Sequence, residues 1–143
     1  MIAMVNRSRL KRTSGAKRKS RLKRDFGRGF DTRIVVYVPS TEFDKKIPAG
    51  EFKKRIGDTT KFLTDEFGGV TVVSGSGSWH TDHKIIKENV MKVESFSPFK
   101  KYVTEQSKVR DFLREKAKEW KQHSLSFEFE SPEKGYSTLY FVS

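Results

Sequence analysis

With 143 residues the chain is one domain's worth, long enough to bury a core, and its formal net charge is +12. It has no cysteine, which excludes disulfides, thiolate metal sites and a cysteine nucleophile. No apolar run approaches the roughly 18 residues of a membrane span, and residues 1–5 are too short for a signal-peptide core, so a soluble intracellular protein without membrane contact is expected, cytoplasmic or held in a virion or other nucleoprotein.

The charge is unevenly placed. Residues 1–31 hold eleven Lys/Arg against two acids, a balance of +9, and residues 32–143 hold nineteen against sixteen, a balance of +3. The stretch RLKRTSGAKRKSRLKR at 9–24 has nine basic residues in sixteen positions. Few apolar residues accompany them, so residues 1–31 are expected to be a disordered basic arm before a domain at 32–143. Clustered Lys and Arg reward phosphate backbones through counterion release. The first functional expectation is therefore a non-enzymatic nucleic-acid-associated protein. Its contacts to RNA, DNA or an assembly such as a ribosome or packaged genome would be Arg7, Arg9, Lys11, Arg12, Lys17, Arg18, Lys19, Arg21, Lys23, Arg24 and Arg28. RLKR occurs twice, at 9–12 and 21–24, but twelve residues on a helix leave the copies about 120° apart, so the repeat marks composition and not a shared face.

Beyond the arm the pattern becomes regular. RIVVYV at 33–38, closed by Pro39, is β-branched and aromatic and predicts a central strand. Residues 41–48 read as a polar loop, with Pro48 placed to start a helix. Phe52, Ile56, Leu63 and Phe67 recur at helical spacing with Thr59 or Thr60 filling the stripe, and Gly68 and Gly69 end it. A second strand runs from Val70 to Trp79 through SGSGS at 74–78. Those glycines open no helix and carry no GK[ST] signature, so they suggest a bulge or close backbone approach before a phosphate cradle. Residues 80–83 read as a hairpin turn; His80, Asp82 and His83 lack an evident fourth metal ligand, and no metal is assigned.

The third strand spans 84–96, and a second helix 104–122 has Val109, Phe112, Leu113, Ala117 and Trp120 as its stripe. Leu125, Phe127 and Phe129 alternate with polar residues in a half-buried strand, and a turn at 131–135 leads into a last strand, 138–142. Glu128 and Glu130 share a strand face without a burial signal. The order β-α-β-β-α-β plus one strand predicts an α+β class, a ferredoxin-like sandwich with an extra C-terminal strand.

A hairpin turn centred on 81–84 sets Trp79 opposite Ile86 and Glu88 opposite Gly77, on one face. Room above the glycine offers a ligand site built from Trp79, Glu88 and Gln122. The plainer reading, a sheet aromatic covering a glycine and a surface glutamate beside a lysine, is preferred because half-buried sheets commonly carry such pairs. No G-x-S-x-G or H-E-x-x-H motif is present, and no catalytic residue or cofactor is assigned. Tyr37 is the only first-strand aromatic that sheet-face RNA readout would use, and the third strand offers Lys92 and Glu94 instead.

FGGVTV at 67–72, GSGSW at 75–79, ENV at 88–90 and WKQHSL at 120–125 resemble an uncharacterised family of small bacterial and archaeal proteins that carry a domain of unknown function. The resemblance implies an α+β sandwich for the body and no reaction. Two alternatives therefore stand beside the nucleic-acid expectation: a small-ligand or enzymatic domain centred on Trp79 and Glu88, and a homo-oligomeric structural protein of a mobile element or virus.

Overall fold

The structure, a computed structural model, describes residues 29–43, 45–80 and 82–143. The expected arm at 1–31 and all eleven of its expected phosphate contacts, Arg7 to Arg28, thus lie outside the described residues except for Gly29, Phe30 and Asp31. In chain order the elements are β1 (Thr32–Pro39), β2 (Thr41–Glu42), β3 (Lys45–Lys46), α1 (Ala49–Phe67), β4 (Thr71–His80), β5 (Ile85–Ser97), α2 (Phe99–Glu119), β6 (Leu125–Ser131), a 3-10 turn (Pro132–Lys134) and β7 (Tyr136–Val142). The class is α+β. Five strands form one sheet in the order β4-β5-β1-β6-β7, every neighbour antiparallel, while β2 and β3 form a separate two-residue ribbon inside the expected polar loop.

The β-branched run of β1 becomes the central strand because both of its faces are covered. Ile34, Val36 and Val38 are fully buried on the helix side, in one core with Leu63 and Phe67 of α1, Val109, Leu113 and Ala117 of α2, and Phe127 and Phe129 of β6. Phe62 and Phe112 stack at 4.1 Å where the helices meet. Period-two alternation then sends Arg33, Val35 and Tyr37 to the face that no helix covers.

Polar side chains roof that face. Arg33 donates to Glu94 at 2.6 Å and to Glu128 at 3.4 Å, the Tyr37 hydroxyl donates to Glu128, and Val35 is wholly buried beneath them. Burial and Glu128 together push the Tyr37 phenol up to about 12. Glu128 and Glu130, expected without burial, are therefore built into the sheet: Glu130 is 6% exposed and Glu128 carries two donors.

The second helix also differs from its expected bounds. It ends at Glu119 and starts at Phe99, directly behind Pro98, because the buried Tyr102 continues the apolar stripe two turns back from Val109. Gly68 ends α1 with φ 95°, as the sequence predicts. The SGSGS run lies within β4 as ordinary extended strand. Among the described residues, no helix is long and apolar enough to cross a membrane.

Candidate functional site

The site begins with a mismatch of strand lengths. Pro39 at the end of β1 pairs with Val90, so residues 85–89 of β5 run past β1 and pair only with residues 76–80 of β4. The overhanging ribbon has the predicted register, Trp79 opposite Ile86 and Gly77 opposite Glu88. Its open face forms one wall of a cleft of about 910 Å³. The segment after β1, the turn after α2 and strand β7 supply the other walls, with Tyr37, Phe43, Gln122, His123 and Phe141 among the lining residues.

Trp79, Glu88 and Gln122 all line this cleft, and Thr41 links two of them. The Thr41 hydroxyl donates to Glu88 Oε2 at 2.5 Å, and Gln122 Nε2 donates to the Thr41 carbonyl at 2.7 Å. Glu88 is thus no surface partner of a lysine. It is half-buried, and it is the one carboxylate among the described residues that line the cleft. Burial holds its carboxyl above the ordinary carboxylate range, against the Thr41 hydroxyl, the Ser40 and Thr41 amides and the Arg55 charge, which favour ionisation.

Arg55 lies beneath. It is 1% exposed and donates to the carbonyls of Pro39 at 2.9 Å, Thr41 at 3.0 Å and Trp120 at 3.3 Å. One guanidinium therefore ties the end of β1, the start of β2 and the end of α2 together. Its charge is offset by Glu51 at 3.7 Å and by the Trp120 ring at 5.3 Å.

Gln122 is aimed by the way α2 ends. Lys121 takes φ 52°, its amide donates to Lys118 and the Gln122 amide donates to Ala117, the paired bonds of a Schellman turn with lysine where glycine is usual. Both Gln122 Nε2 protons go to carbonyls, Thr41 at 2.7 Å and Trp120 at 3.1 Å, which leaves Oε1 as the amide's remaining acceptor.

Thr41 and Arg55 are the residues that sequence reading misses. Thr41 looks like one more polar loop residue. Arg55 did leave a signal, since it stands four residues before Thr59 and in phase with Leu63 and Phe67, on the stripe that is buried. His80, Asp82 and His83 are exposed at the hairpin end. A second hollow of about 550 Å³ beside β7 is lined by Arg33, Glu128 and Glu130, charges already engaged across the roof of the sheet.

The arrangement offers one carboxylate beside an indole and an amide in a largely apolar cleft, groups that complement a small ligand carrying positive charge and hydrogen-bond donors. Lys84 and Lys121 also line it, Lys121 paired with Glu42 at 3.4 Å, and would suit a carboxylate on the same ligand. No family model matches the chain and no curated protein matches it, so the family resemblance over residues 67–125 gains no support from either. Two solved structures share the fold: a phage SAM lyase in complex with S-methyl-5'-thioadenosine and the phage SAM lyase in its apo state. Each has a TM-score of 0.59 and 16% identity and covers 82% of this chain, with 95% of the first chain and 92% of the second covered. The fold is thus similar to that of an enzyme with a small ligand. This corrects the expectation of a non-enzymatic nucleic-acid-binding protein, which rested on the charge of residues 7–28 and on nothing in the body.

Proposed function

We propose that the domain binds an S-adenosyl sulfonium compound in the Trp79–Glu88–Gln122 cleft and cleaves it, as the SAM lyase with the similar fold is named for doing. The observation that supports this most is the cleft itself, with Glu88 as its one described carboxylate, held beside Trp79 and linked through Thr41 to Gln122. A sulfonium is a cation, and a carboxylate with an indole face complements it. Cleavage to a thioether breaks a C–S bond whose electron pair goes to sulfur, so the positive charge is dispersed in the transition state and gone in the thioether product. A largely apolar cleft hydrates the starting cation poorly and favours that change. A carboxylate whose pKa is raised by burial suits the proton transfer that an elimination requires, taking a proton from the carbon next to the one that leaves sulfur.

The same reading takes the fold as a ferredoxin-like βαββαβ sandwich with β7 added beside β6. Two split βαβ units interleaved around a central first strand give the order β4-β5-β1-β6.

The test is direct. Purified protein incubated with S-adenosylmethionine should release S-methyl-5'-thioadenosine, followed by liquid chromatography. Glu88→Gln should lower the rate by about a hundredfold or more, the usual contribution of a positioned base. Absence of release would remove the lyase reading, and absence of binding of both S-adenosylmethionine and S-methyl-5'-thioadenosine would remove the ligand as well.

A further inference from the structure

Gly77 occupies the interior of an extended strand, where glycine is costly: it packs nothing and loses the most backbone freedom on folding. Two structural needs usually explain such a glycine. One is a left-handed backbone, but the described glycines with positive φ are Gly68 and Gly135. The other is close approach by the chain itself. A Cβ built at Gly77 meets one heavy atom within 4 Å, Val90 Cγ1 at 3.6 Å, which is ordinary contact. The fold therefore leaves room for a side chain at 77.

What lies above Gly77 is the cleft, with Trp79 two residues along on the same face, Glu88 directly opposite and the Gln122 amide across from it. Gly75, two residues back on that face, is different. Its Cβ position is covered by Val90 Cγ2 at 3.6 Å and Lys92 Cδ at 3.9 Å, and it does not line the cleft.

We propose that Gly77 is a specificity-determining residue, the bare floor on which the flat heteroaromatic ring of a purine nucleoside lies face-on. A peptide plane without Cβ is a flat surface that a ring can approach to contact distance, about 3.5–4.0 Å. Trp79 bounds the ring on the same face, and Gln122 Oε1 is the acceptor left for a ring amino group, because both amide protons are already taken. Any branched side chain at 77 fills the volume of the ring. This rests on the functional reading above and deepens it, since it names the part of the ligand that selects the site.

The experiment compares the full chain with Gly77→Val, Gly77→Ala and Gly75→Ala. Melting is measured alongside calorimetric titration with adenosine, with S-methyl-5'-thioadenosine and with the base-free 5-methylthioribose. Valine favours strands, so Gly77→Val should melt no lower than the parent while binding both nucleosides roughly tenfold or more weakly. Gly77→Ala should show a smaller loss in the same direction and covers the case of a misfolded valine variant. Gly75→Ala should bind as the parent does, and base-free methylthioribose should not distinguish the parent from either Gly77 variant. Retained nucleoside affinity in a folded Gly77→Val or Gly77→Ala overturns the proposal, and so does a parent protein that takes neither nucleoside. If the parent binds adenosine in a Gly77-dependent way yet never cleaves S-adenosylmethionine, the floor stands and the lyase reading falls.

Discussion

Glu88 is held by one hydroxyl and two amides, yet burial outweighs them and raises its pKa. The sign of the consequence is fixed. Between the ordinary glutamate value and the higher folded value, the native protein keeps a proton that the unfolded chain has released. Stability therefore falls as pH rises through that window, and the penalty is complete above it. Glu88→Gln removes the titration, so the variant should match or exceed the parent in urea midpoint at pH 7 and lose that advantage below the ordinary carboxylate range. Cleavage that needs the ionised carboxylate should fail in the opposite direction, as pH drops through the raised pKa. Thr41→Val deletes the donor that favours ionisation and should move this acid limb upward; Thr41→Ser keeps the hydroxyl and should restore it. An acid limb at the same pH in all three proteins would show that Thr41 does not tune Glu88.

At the scale of elements, the cleft is made by terminations. β1 stops at Pro39 while β5 runs on, and α2 closes in a Schellman turn on Lys121 that places Gln122. Helix α1 ends with Gly68 at φ 95°, where a Cβ would meet no neighbouring atom, so the cost of a side chain there is backbone strain alone. Gly68→Ala should therefore destabilise by about 1–2 kcal/mol, read from the urea midpoint at unchanged slope. Binding should be unaffected, because α1 reaches the site through Arg55, three turns earlier. A change in nucleoside affinity on Gly68→Ala would mean that the frame of the site extends to the far end of that helix.

For the whole molecule, two helices cover one face of a five-stranded sheet and leave the other to a polar roof and an open cleft. A ligand that fills the cleft touches β4, β5 and the segments after β1 and α2, so it bridges the free end of the ribbon to the body. Folding and binding are then linked. At a free nucleoside concentration a hundred times its dissociation constant, the stability should rise by about 2.7 kcal/mol, seen as a higher melting temperature. The Gly77→Val variant, binding roughly tenfold or more weakly, should rise by no more than about 1.4 kcal/mol at the same concentration. A parent melting curve indifferent to saturating ligand would place binding away from this cleft.

What the sequence determined is the part of the structure governed by short range. The β-branched run of residues 33–38, the apolar stripes of both helices, Gly68 as a stop and the pairing of Gly77 with Glu88 follow from period and turn length, which neighbouring residues set among themselves. The charge of residues 7–28 was equally legible, but composition carried too far toward a nucleic-acid partner, since an arm says nothing about the chemistry of the domain behind it. Only tertiary structure decided that Glu128 and Glu130 are built into the sheet, that Arg55 is buried and that Thr41 joins Glu88 to Gln122 across 81 residues of chain. The reason is physical. A buried polar group is retained for the partners it finds, and those partners come from elements far apart in sequence, where no local period can foretell them.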